Sequence, residues 1–178
     1  NNAEMRGGSG MFLSAGPLTA ADGTIEVGDL VSTADLRLPP DAVPLDPESD
    51  LAKRWGFLRP NEEWRNLATT PNFDMTGPLT AQMWTAATGQ DVDGVLVVDP
   101  VALQAFLAAT GPVEVDGEVI DEDNVLGLLY HDQYSDLSYD DPEQSARRER
   151  LGKIAAAVID ALDEGDYDTA TLAETLID

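Results

Sequence analysis

The sequence contains no cysteine, which removes disulfides, thiol catalysis and a zinc ribbon together. A single histidine, His131, is too few for a histidine-based metal site, so any resident cation would be a hard one held by carboxylates. The stretch "HDQYSD" has no serine–histidine arrangement with an orienting partner. His131 therefore reads as a helix-end residue, and Tyr130, Tyr134 and Tyr139 read as packing residues. Positive charge is also scarce. Ten Lys+Arg face 34 Asp+Glu, a formal charge of −24, which excludes a nucleic-acid backbone or an anionic membrane surface as a broad partner. No apolar run approaches the ~18 residues of a membrane span. Because the chain opens at Asn1 rather than Met, it is expected to be an excised piece, with membrane contact only through a segment outside it.

What is present is ordinary for a folded domain. At 178 residues with 43% apolar content, the chain fits a single domain over 1–178 that can bury a sizeable core without staples. The acidity reads first as solubility. The acid-rich "DEGDYDTATLAE" near the end lacks the spacing and bend glycine of a calcium loop.

Punctuation divides the chain into elements. "MFLSAGPLT" and "TIEVGDLVS" predict two strands around Asp22-Gly23, and "ADLRLPP" a third extended piece. Residues 39–74 read as a long irregular stretch with one short helix at "PESDLAKRWGF". A helix follows in "GPLTAQMWTAATG", with Pro78 in its first turn and Leu79, Met83 and Ala87 at helical spacing. "DGVLVVDP" predicts a buried central strand. Asp99 and Pro100 then open a helix that Gly111 closes, and "VEVDGEVI" is a hairpin around Asp116-Gly117. Asp121 caps a further helix. The longest, "DPEQSARRERLGKIAAAVIDALDEG", starts in a capping box and carries a stripe of Leu151, Ile154, Ala155, Val158 and Leu162. "TATLAETLI" is a final short helix. Together these predict an α/β or α+β fold, a central mixed sheet with helices packed on both faces.

The ten cations are unevenly placed. Six lie at or before residue 65, none between 66 and 146, and four crowd into "ARRERLGK". Arg147, Arg148, Arg150 and Lys153 are expected in the first turns of the long helix, where the macrodipole disfavours positive charge. Ion pairing with Glu143 or Glu149 is one reading; a phosphate clamp is the other, since guanidinium forks match phosphate oxygens. Arg6, followed by "GGSG", raises the same choice, because those glycines would either admit a ligand to the backbone or permit a bend.

"NNAEMR", "VDGVLVVDPVALQAFLAATGPVEVDG" and "DEDNVLGLLYHDQY" resemble a bacterial, mainly actinobacterial, domain of unknown function. Such domains occur in envelope proteins, usually behind a membrane-spanning segment. More distantly, the order of features is similar to that of the LytR-CpsA-Psr phosphotransferases, which move glycopolymers from polyprenyl pyrophosphate carriers to the cell wall with arginines and Mg²⁺. That similarity implies ligand-binding roles for Arg6 and for Arg37 in "ADLRLPPD". It implies the same for Arg147, Arg148 and Arg150 in the basic helix start. It also implies an acidic metal ligand just after the first arginine, where this chain has Gly7, Gly8 and Ser9.

Two functions follow as expectations. One is an extracytoplasmic domain whose arginines converge on a polyprenyl pyrophosphate or a glycan, with Mg²⁺ bridging phosphate oxygens if it is catalytic. The other is a non-catalytic envelope module that binds glycan or protein partners, with structural arginines paired to carboxylates.

Overall fold

The turn entered at Asp22 begins the architecture. Asp22 takes φ 55°, and strands β2 (Leu18–Ala21) and β3 (Thr24–Val27) pair antiparallel from Ala21↔Thr24 to Leu18↔Val27. This computed structural model describes residues 10–22, 24–134 and 142–165. A separate short pair joins β1 (Ser14–Ala15) to β4 (Val31–Ser32). Gly16 passes so close to Asp29 that a Cβ would stand 2.8 Å from the Asp29 carbonyl oxygen.

The chain divides into two compact units, one of residues up to Ala15 with Val31–Asp99, the other of Gly16–Leu30 with residues from Pro100 onward. The first holds the stretch that the sequence leaves irregular, and that stretch supplies much of its core. Helix α1 (Asp50–Trp55) is capped by Ser49, whose side chain accepts from the Ala52 N–H, and passes into a 3₁₀ turn at Gly56–Leu58. A second 3₁₀ segment, Trp64–Thr69, follows. Val43, Leu51, Trp64, Leu67 and Ala68 are buried there beside Phe12, Leu79 and Met83.

Little regular backbone pairing holds these residues, so side chains satisfy distant carbonyls. The Trp64 indole N–H donates to the Leu36 carbonyl at 3.0 Å, and the Asn61 and Asn66 amides donate to the Val43 and Leu58 carbonyls at 2.7 and 2.8 Å. The Thr33 hydroxyl donates to the Phe12 carbonyl at 2.7 Å. Each bond fixes a loop that has no ladder of its own.

Helix α2 (Phe73–Thr88) starts earlier than its apolar spacing suggests, because Asn72 caps it by accepting from the Asp74 N–H. Pro78 consequently lies inside the helix rather than in its first turn. Gly89 ends it at φ 76°. The predicted central strand does not form: residues 94–99 are irregular, and Leu96 is 65% exposed. Its β-branched run meets no partner strand among the described residues, and propensity without pairing does not make a strand.

In the second unit, α3 (Pro100–Thr110) ends where Gly111, at φ 86°, donates its N–H to the Leu107 carbonyl. Strands β5 (Val113–Val115) and β6 (Glu118–Ile120) form a tight hairpin, with Asp116 at φ 52° and Gly117 at φ 81°. Both central residues left-handed is the turn that matches strand twist. Asp121 accepts from the Asp123 and Asn124 N–H groups, leading into α4 (Val125–Tyr134), the helix that carries His131. Helix α5 (Pro142–Asp163) packs on β3, β5 and α3, burying Ile154, Val158 and Ile159.

The fold is thus mixed helix and strand, as expected in class. Its strands differ in arrangement from the expected central sheet: among the described residues they make three separate two-stranded antiparallel sheets. The proposed final helix "TATLAETLI" lies outside the described residues.

Candidate functional site

The basic end of α5 meets the β5–β6 hairpin. Arg150 stands eight residues in from Pro142, so it escapes most of the dipole penalty expected for a first-turn cation, which fades within one turn. Three residues on, Lys153 shares the same helix face. Across from them the hairpin offers Asp116 at its turn and Glu118 at the start of β6. The Arg150 guanidinium donates to Glu118, and Lys153 Nζ donates to both Asp116 carboxylate oxygens at 3.1 and 3.2 Å. An i,i+3 pair on a helix therefore engages an i,i+2 pair on a hairpin. The side chains are 32% and 49% exposed for Arg150 and Glu118, so the bond is partly shielded from water. Nothing in the local sequence could identify these partners, which lie more than 30 residues upstream.

Of the other expected ligand residues, Arg37 alone has a described side chain. Arg37 is exposed on the loop after β4, and it makes no ion pair with a carboxylate among the described residues. Arg147 and Arg148 fall on α5 by position. Arg6 lies outside the described residues, as does the Gly7–Ser9 stretch after it. No cluster of three or more Asp, Glu or His side chains that could hold a metal ion occurs among the described residues. No described helix is long and apolar enough to cross a membrane.

A concave region belongs to the first unit, and the sequence reading missed it. α1 turns Leu51, Arg54 and Trp55 toward the segment that enters α2, where Thr70, Asn72 and Met75 form the opposite wall. The cleft measures about 290 Å³. Leu51 is buried, while Trp55 and Met75 are half-buried and pack against the core cluster. At the mouth, Arg54 Nε lies 3.6 Å from Asp50 Oδ2, both side chains 71% exposed. The tryptophan beside Lys53-Arg54 was the available signal.

Further along, Glu63 accepts from Arg65 Nε at 3.1 Å and begins the second 3₁₀ segment. Burial pushes its carboxyl up. The Arg65 hydrogen bonds and charge, with Arg59 adding a smaller pull, outweigh that and hold it below its ordinary value.

No curated protein and no solved structure matches the chain. A family model does match, over residues 1–134, and its span takes in both the first unit with its cleft and the hairpin that carries Asp116 and Glu118. The chain belongs to the family described as protein of unknown function, DUF4012.

Proposed function

We propose that this chain is a non-catalytic binding module of the cell envelope, held on the extracytoplasmic side by an anchor outside the sequence, and that its basic helix is structural. The observation that carries the reading is the engagement of Arg150 and Lys153 by Glu118 and Asp116. A phosphate clamp needs its guanidinium forks turned to the ligand, without carboxylates between them. Here the hairpin already holds the Arg150 fork and the Lys153 ammonium, and a pyrophosphate reaching those two would have to displace two carboxylates from a molecule of charge −24. The absence of an acid after Arg6, where the phosphotransferase pattern has one, supports the same reading.

The test is a calorimetric titration of the chain with geranyl pyrophosphate, with and without Mg²⁺, beside Arg6→Ala, Arg37→Ala and Arg150→Ala variants. A structural role predicts no saturable pyrophosphate binding, with Arg150→Ala reducing stability alone. Saturable binding that is lost on removing Arg6 or Arg37 would restore the phosphotransferase-like arrangement with its Mg²⁺ and overturn the module.

A further inference from the structure

The cleft between α1 and the entrance to α2 combines an apolar floor with a polar rim, and we infer that it binds a neutral pyranose sugar within an oligosaccharide. The inference rests on the binding-module reading and supplies its site and ligand class.

The floor is fixed. Leu51 is only 3% exposed, and Trp55 and Met75 pack against the core, so the indole is held in place rather than free to swing. A rigid aromatic surface suits the C–H face of a sugar ring, which is apolar while its edge is hydroxylated.

The rim offers both donors and acceptors. Thr70 is 9% exposed; its hydroxyl accepts from the Asn72 N–H at 3.3 Å, and its own hydrogen has no acceptor among the described residues. Asn72, exposed at the rim, accepts from the Asp74 N–H through its side-chain oxygen at 3.1 Å, and its amide N–H₂ is a further donor there. The Asp50–Arg54 pair, 3.6 Å apart, sets an acceptor and a donor side by side at the mouth. Adjacent hydroxyls on a sugar ring ask for that alternation, each able to donate to the carboxylate or accept from the guanidinium.

Charge decides between a neutral and an acidic ligand. Arg54 is compensated by Asp50, and the whole chain carries −24, so an anion gains little here and is repelled at long range. At about 290 Å³ the cleft lies at the small end of ligand sites, which run to ~300–1,000 Å³, and suits one or two rings of a longer chain.

The experiment uses the 178-residue chain, ¹⁵N-labelled, titrated with a panel of neutral oligosaccharides that includes cellotriose and triacetylchitotriose. Sodium phosphate serves as the anionic probe. The expected result is saturable shifts of the Trp55 indole and Asn72 amide signals with a neutral sugar and none with phosphate. Asp50→Asn and Arg54→Gln, both at exposed positions that spare the core, should each weaken binding by about tenfold or more. Shifts at Trp55 and Asn72 with phosphate alone overturn the inference, as does the absence of any shift there across the panel. Sugar binding that both variants retain removes the cleft while leaving the module reading intact. Failure of that reading itself would show separately, as arginine-dependent pyrophosphate binding.

Discussion

Replacing Leu67 with alanine is the sharpest test of where the first unit keeps its core. Leu67 sits in the 3₁₀ segment Trp64–Thr69, is 0% exposed and is among the largest fully buried side chains. The substitution deletes three carbons, which at ~0.8 kcal/mol per buried methylene amounts to about 2.4 kcal/mol. The cavity left beside Trp64, Leu79 and Met83 adds to that, and measured Leu→Ala changes in cores fall at ~2–5 kcal/mol, so about 3 kcal/mol is expected. Phe57→Ala is the control. Phe57 is 78% exposed, on the neighbouring 3₁₀ turn, and its loss should change stability by no more than about 0.5 kcal/mol. Urea unfolding followed by tryptophan fluorescence is the assay, since Trp55, Trp64 and Trp84 all belong to the first unit. The slope with urea should stay constant, so that a shifted midpoint reads as stability. If Leu67→Ala and Phe57→Ala unfold at the same urea concentration, the 3₁₀ segment is a surface loop and the core described for this unit is wrong.

Two further outcomes are expected. The Glu63 carboxyl titrates lower in the folded chain than in the unfolded one, so its contribution is present above the unfolded value, near 4.5, and is lost as pH falls through the folded value. Urea midpoints at pH 6 and pH 3 should therefore fall further for the parent chain than for Glu63→Gln, and equal losses would refute the pairing with Arg65. Gly16→Ala brings a Cβ to 2.8 Å from both the Asp29 carbonyl oxygen and Leu30 Cδ2, at a place where backbone has to move. It should cost ~1–3 kcal/mol. Amide exchange should also lose protection at the Gly28 N–H, which donates to the Pro17 carbonyl at 2.9 Å; unchanged exchange would contradict the close approach.

Turns and caps were legible because their chemistry is local. Asp116-Gly117 and Gly111 announce left-handed backbone by residue type, and both adopt it. Helix α5 was legible by its capping box and apolar stripe, and it begins at Pro142. By contrast, the Val-rich run at 94–98 had strand propensity but no partner to express it. Residues 39–74 showed no sustained period because α1 and the 3₁₀ segments are too short to display one, although Val43, Leu51 and Leu67 are buried. What orders them is a set of bonds such as Trp64 to Leu36, spanning 28 residues, which no window of sequence displays. The functional side divides the same way. The basic cluster in α5 was visible, its carboxylate partners were not, and the cleft came from two segments that sequence spacing joins to nothing.

The ribbon of β2 and β3 has a consequence for how the chain is made. Its covering helix, α5, begins at Pro142, whereas β3 ends at Val27. At ~5–20 residues per second, the ribosome delivers that helix roughly ten seconds after the ribbon. Through that interval the nascent ribbon has neither its lid nor a third strand, and two strands alone are marginal in water. Synthesis therefore leaves an early, open-edged pair waiting on a late helix. Shortening the chain from its carboxyl end past Pro142 would make that wait permanent.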